Sequence, residues 1–161
     1  MTNNKRRIII LEGLDKTGKT TFSEELLKDI PGTIMIKQNR RKLKNVKEAY
    51  LQMCLVLTKL PGSAPVILDR FYPSQMVYSI LRGTDELDDV FYTVLEKDML
   101  EHPSLTFEII YCTASEETIT ERFISNKEEH VNIEQIKMLK ERYDTFISKT
   151  KLPVKVHDTT W

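Results

Sequence analysis

Two periods alternate along this chain. Short apolar runs recur five times, at Arg7 to Leu11, Thr33 to Lys37, Val66 to Asp69, Leu105 to Cys112 and Val154 to His157. The first is continuously apolar, as a strand covered on both faces in the middle of a parallel sheet should be. Between the five runs, apolar residues return every three or four positions, the spacing of one helix face. Helices are predicted over Gly18 to Asp29, Leu43 to Leu60, Ser74 to Leu81, Leu87 to Leu100, Ser115 to Phe123 and Ile133 to Ser148. Turn chemistry supports the boundaries. Pro31-Gly32 stops the first helix, Pro61-Gly62 the second, Gly83 the third and His102-Pro103 the fourth. Strand–helix alternation throughout predicts an α/β protein, a three-layer α/β/α sandwich around a five-stranded parallel sheet with right-handed crossovers. No repeat, low-complexity tract or linker interrupts it, so one domain over residues 1–161 is expected.

Three helices carry specific expectations. In the last, Ile136, Leu139, Tyr143, Phe146 and Ile147 point inward. In the fourth, Leu87, Val90, Phe91, Val94 and Leu95 share a face. The second carries Leu43, Val46, Tyr50, Met53, Leu57 and Leu60 as a stripe, which Leu51, Cys54, Leu55 and Val56 widen beyond one face. Such a helix needs cover on two sides, from its own chain or from a second subunit. A homodimer pairing through this helix is the expected assembly.

Composition narrows the class. Lysines and arginines equal aspartates and glutamates at 24 each, so no global field recruits nucleic acid or a membrane surface. No apolar run approaches the ~18–20 residues of a membrane span, and Met1 to Arg7 lacks the pattern of a signal peptide. Cys54 and Cys112 both lie in apolar surroundings, which predicts buried free thiols and a cytoplasmic setting.

The chemistry sits after the first strand. Gly13 to Thr20 (Gly-Leu-Asp-Lys-Thr-Gly-Lys-Thr) fits G-x-x-x-x-G-K-[ST], the phosphate-binding loop between a strand and a helix. Gly13 and Gly18 permit a backbone that turns consecutive amides onto phosphate oxygens. Leu14, Asp15, Lys16, Thr17 and Thr21 complete the stretch, and the following helix adds its positive end. Lys19 is expected on the outer phosphates and Thr20 on Mg²⁺. The Val66 to Asp69 strand ends in a carboxylate, the usual second metal-side group of such a site. Arg70 follows with a guanidinium able to clamp a phosphate through parallel hydrogen bonds. A basic cluster of Lys37, Arg40, Arg41, Lys42 and Lys44 leaves the carboxyl end of the second strand, the rim where open α/β sheets bind ligands. Lys37 and Arg41 are its candidates for an anionic substrate. Polar residues Ser125 to Asn132 are the expected lid, within a region of about 123–132. The three histidines form no metal set or triad in sequence.

Glu12-Gly13-Leu14-Asp15-Lys16-Thr17-Gly18-Lys19-Thr20-Thr21 resembles the phosphate loop of thymidylate kinases, E-G-x-D-x-x-G-K-[ST]-T. Asp69-Arg70-Phe71-Tyr72-Pro73-Ser74 through Tyr78 resembles that family's D-R-x-x-x-S-x-x-x-[YF] segment, and Pro103 to Arg122 its P-D-L strand and following helix. The resemblance implies ATP with Mg²⁺ as donor and a deoxynucleoside monophosphate, dTMP first, as acceptor. It implies Asp15 on the sugar 3′-hydroxyl, Arg70 on the acceptor phosphate, Phe71, Ser74 and Tyr78 lining the acceptor pocket, and Arg122 on the donor side. Lys16 fits a subclass with a basic residue after the loop's Asp. Thymidylate kinases are commonly homodimers that pair through helices. The chain departs from the pattern at Ser104, in place of the family's Asp, and at Ser79, where members often carry a base-reading Gln. No arginine occurs in the second helix. Two other readings start from the same loop. A deoxynucleoside kinase needs a carboxylate base, for which Glu12 or Asp69 is the candidate, and a nucleotide-binding module without catalysis needs neither.

Overall fold

The computed structural model describes residues 5–37, 45–125 and 132–160. Its sheet is parallel and five-stranded, built from β1 (Arg6–Glu12), β2 (Ile34–Lys37), β3 (Val66–Asp69), β4 (Leu105–Thr113) and β5 (Val154–Asp158) in the spatial order β2-β3-β1-β4-β5. β1 is central, and Ile8, Ile9 and Ile10 are wholly buried. Burying each such side chain is worth about 2 kcal/mol, which is why a run with no polar residue sits where neither face meets water.

Alternation along β1 divides the core. Ile8 and Ile10 face a large cluster drawn from α2 (Val46–Lys59), α3 (Tyr72–Val77), α4 (Val90–Leu100), α5 (Glu116–Ser125) and α6 (Ile133–Lys149). Ile9 and Leu11 face a smaller one closed by Phe22, Leu26 and Leu27 of α1 (Lys19–Asp29). A buried carboxylate, Glu96 of α4, accepts from the hydroxyls of Tyr72 and Thr150 and the backbone N–H of Lys151, pinning the end of α6 to α4.

Element types follow the periodic pattern, and the differences are local. The helix expected over Ser74 to Leu81 starts earlier, at Tyr72, with Pro73 in the first turn where its missing N–H costs nothing. It then tightens into a 3-10 turn at Tyr78–Arg82, closed by Gly83 at φ 79°. Helix α4 begins at Val90 because the Asp89 side chain caps it by accepting from the Phe91 N–H at 2.9 Å. The expected shared face is corrected at two positions, while Leu87, Phe91 and Leu95 do pack on the core. Tyr92, Leu95, Glu96 and Met99 are buried, whereas Val90 and Val94 are exposed. Helix α2 begins at Val46 with Asn45 as its cap, and Leu43 lies outside the described residues. Its core face is Tyr50, Cys54 and Leu57. Leu51, Leu55 and Val56 remain exposed, so this chain's own core covers one side only. Cys54 and Cys112 are free and buried. Among the described residues no helix is long and apolar enough to cross a membrane. Of the expected lid, residues 126–131 lie outside the described residues; Asn132 caps α6 by accepting from the Gln135 N–H.

Candidate active site

The loop between β1 and α1 is shaped by three backbone positions. At Gly13 (φ 138°) a Cβ would stand 2.1 Å from the Cys112 carbonyl oxygen, so only glycine lets β1 pass β4 there. Gly18 (φ 88°) is the residue before α1, and Lys16 adopts a left-handed φ of 66° despite its side chain. Thr17 Oγ1 donates to the Leu14 carbonyl at 2.6 Å, and Lys19 Nζ donates to the same oxygen at 2.9 Å. Leu14 itself is buried. Burial, with Arg70 adding to it, brings the Lys19 ammonium down to about 8, against the opposing charges of Asp15, Glu12 and Asp69. Thr20 and Thr21 are exposed in the first turn of α1.

The loop is braced from behind by residues distant in sequence. Arg122 of α5 donates to the Lys16 carbonyl at 2.8 Å and to both the hydroxyl and the carbonyl of Thr159. The Thr159 hydroxyl contacts the Thr17 carbonyl at 3.1 Å, and its N–H donates to Thr113 at 2.8 Å. Arg122 is therefore a brace on the loop backbone. Thr159, which carried no expectation from sequence, is the hub of that brace.

Across the rim lies a nest built around Arg70. Asp69 ends β3 in register with Leu11 on one side and Lys37 on the other, which brings Lys37 to the same edge. Arg41 lies outside the described residues. Arg70 takes a left-handed φ of 71°, with its N–H on the Leu11 carbonyl at 2.9 Å. A non-glycine residue there is strained by roughly 1 kcal/mol or more, and its guanidinium finds several partners. Nη1 donates to Ser74 Oγ at 3.1 Å and to the Tyr143 hydroxyl at 2.9 Å, and Nη2 to Asp15 Oδ1 at 3.0 Å. The Tyr78 ring lies 5.5 Å away. Burial disfavours the Arg70 charge, yet Tyr143, Tyr78, Glu12 and Asp15 outweigh it and hold the group cationic.

Beneath the guanidinium sits Glu12, with no exposed surface. Its carboxylate accepts from the Phe71 N–H at 2.7 Å, from the Tyr143 hydroxyl at 3.0 Å and from the Ser74 hydroxyl. Burial raises its carboxyl above the usual range, while Arg70 and these donors pull it down. One expectation is corrected. The Phe71 ring is 2% exposed and packs edge-on against Tyr72, so Phe71 serves the site through its N–H and not as a pocket wall. Ser79, also buried, donates to the Met76 carbonyl and accepts from the Glu86 N–H, a local clamp. Tyr143 was expected only as an inward core residue of α6.

Thr20 and Asp69 offer a hydroxyl and a carboxylate oxygen, hard donors that suit Mg²⁺. Asp69 lies close enough to Lys19 to act on its charge. No group of three or more His, Cys, Asp or Glu that could hold a metal occurs among the described residues. An ion held by one or two side chains together with substrate phosphates needs no such group.

The strand order, the glycine-shaped loop after the central strand and the Asp-Arg pair at the end of its neighbour decide the architecture. The fold is that of the P-loop kinases. No family model and no curated protein matches the chain, and solved structures supply the comparison. The YorR protein from Bacillus subtilis, in complex with phosphorylated GDP, superposes with a TM-score of 0.72 at 22% identity, over 94% of this chain and 85% of that one. Deoxyadenosine kinase from M. mycoides gives 0.59 at 21%, over 94% and 90%. Thymidylate kinase from Candida albicans gives 0.58 at 17%, over 97% and 84%. P-loop kinases of differing acceptors thus share this framework, and identities this low speak for the fold alone.

Proposed function

We propose that this chain transfers the γ-phosphoryl group of ATP to a deoxynucleoside monophosphate, with dTMP the first candidate. One observation carries the reading. The Asp15 carboxylate stands 3.8 Å from Lys19 Nζ and 3.0 Å from Arg70 Nη2, so one oxygen bridges the cation of the phosphate loop and the cation of the opposite wall. Two partly buried cations that share one carboxylate oxygen suit two phosphates better than one phosphate and a neutral hydroxyl. The bonds to Ser74, Tyr143 and Asp15 occupy only part of the guanidinium's donor fork, which leaves donors for an acceptor phosphate.

The chemistry then asks little of a base, because a monophosphate oxygen is already anionic near neutral pH. Mg²⁺ would be held by Thr20 and Asp69 and would offset charge on the donor phosphates. Lys19 and Lys16 neutralise the donor, Arg70 aligns the acceptor, and Asp15 keeps the two cations in register. The nucleoside-kinase reading draws less support. Its candidate base Glu12 is buried and already accepts from Phe71, Tyr143 and Ser74. Incubation with ATP and Mg²⁺ against a panel of nucleosides and monophosphates tests the reading. Turnover of monophosphates supports it, a preference for unphosphorylated nucleosides replaces it, and no turnover on either leaves a binding module.

Assembly as a homodimer through α2 belongs to the same reading. Leu51, Leu55 and Val56 are each more than half exposed on one surface of that helix. An antiparallel twofold centred between Met53 and Cys54 sets Leu51 against Val56 and Glu48 against Lys59. Light scattering is expected to give about twice 18.8 kDa, and Leu55→Glu to return the mass toward that of one chain.

A further inference from the structure

We infer that Tyr143, on α6, is a positioning residue for the acceptor phosphate, acting through Arg70 as one of two hydroxyl links between that guanidinium and the buried Glu12 carboxylate. The inference rests on the monophosphate-kinase reading and adds a residue to its acceptor side.

The geometry is a closed relay. Arg70 Nη1 donates to two oxygens, the Tyr143 hydroxyl at 2.9 Å and Ser74 Oγ at 3.1 Å. Each hydroxyl passes its own proton on to the same carboxylate, Tyr143 to Glu12 Oε2 at 3.0 Å and Ser74 to the same oxygen. The two hydroxyls also touch each other at 2.9 Å. With both Nη1 hydrogens bound to oxygens that are themselves fixed, the guanidinium plane loses its freedom to rotate. Its remaining donors then point in one direction, the condition for a two-point grip on phosphate. Glu12 supplies the opposite charge through two intervening hydroxyls without occupying the fork itself. No buried side-chain polar atom of the cluster lacks a partner, which is what makes such a network rigid.

Packing alone does not explain the hydroxyl. The ring stacks on Tyr111 at 5.6 Å and meets Tyr78 edge-on at 6.2 Å, contacts a phenylalanine would keep. The neighbouring Arg142 also anchors α6 to α3, donating to the carbonyls of Val77 at 2.7 Å and Met76 at 3.0 Å, and those bonds do not involve the tyrosine. Tyr143→Phe therefore removes one oxygen from the relay and little else.

The test combines kinetics with a readout that needs no turnover. In Tyr143→Phe the Michaelis constant for the monophosphate is expected to rise about tenfold, with that for ATP changed less than about twofold. In an Arg70→Ala background the same substitution is expected to add less than about twofold, because its route is already gone. Arginine ¹⁵N spectra of the free protein are expected to reveal a guanidinium at Arg70 with slow rotation that becomes fast in Tyr143→Phe. Should that variant melt well below wild type, Ser74→Ala probes the parallel link by the same three measurements. An equal kinetic penalty in both backgrounds, or an Arg70 signal unchanged by loss of the hydroxyl, overturns the inference. If wild type binds no monophosphate, the functional reading fails by itself, while the spectra still decide whether Tyr143 orders Arg70.

Discussion

The two sides of the site are built by different means. The proposed donor side is a backbone cradle: residues 13–21 are consecutive, and Gly13 is required by the Cys112 carbonyl at its back. Its bracing by Arg122 and Thr159 also acts on main-chain carbonyls. The proposed acceptor side is a side-chain nest, with Glu12 from β1, Asp15 from the loop, Arg70 after β3, Ser74 from α3 and Tyr143 from α6. Amides at a helix start bind any phosphate, whereas a guanidinium orients one only when its own partners are held. Substitutions are accordingly expected to act locally and severely on the donor side, and through neighbours on the acceptor side.

The largest effect is expected at Lys19. Lys19→Ala should leave the melting temperature close to wild type and remove about 3–4 kcal/mol of transition-state stabilisation, read as a fall in kcat. Retained turnover would mean that the cradle is not the donor site. Arg70→Ala comes next, with about 2–4 kcal/mol lost in kcat/KM for a monophosphate and the ATP constant nearly unchanged. Equal losses for donor and acceptor would erase the distinction between the two sides. The smallest effect is a pH dependence. With the Lys19 ammonium brought down to about 8 by burial, the free enzyme carries that charge below this pH and loses it above. The kcat/KM for ATP is therefore expected to fall as pH rises through about 8, since that ratio reports the free enzyme. In the complex, triphosphate stabilises the ammonium, so kcat should hold to higher pH. A flat kcat/KM profile between pH 7 and 9 would remove Lys19 from the donor contacts.

The same division explains what could be read ahead of the structure. The strand β1, the loop and α1 were legible because apolar period, glycine placement and lysine all lie within one short stretch. Asp69 and Arg70 were legible for the same reason, as the end of an apolar run. The α4 face was misread in part because Val90, Phe91, Val94 and Leu95 span a wide arc of the helix, and packing alone decides that Tyr92, Leu95 and Met99 take the core while Val90 and Val94 meet solvent. Phe71 was misread because an aromatic beside a site residue carries no sign of which way its ring turns.

Local order in the chain determines the fold class and the donor loop, because strand period, helix period and a glycine-shaped turn are interactions between near neighbours. Tertiary structure alone decided the rest. Tyr143 looks like any inward tyrosine of an amphipathic helix until α6 crosses α3 and lays its hydroxyl between Arg70 and Glu12. Thr159 looks like chain following a last strand until β5 pairs with β4 and carries it behind the loop. Hydrogen bonds between residues some seventy to one hundred and forty positions apart have no periodic trace. They exist only once burial has brought the elements together and left each polar group to find its partner.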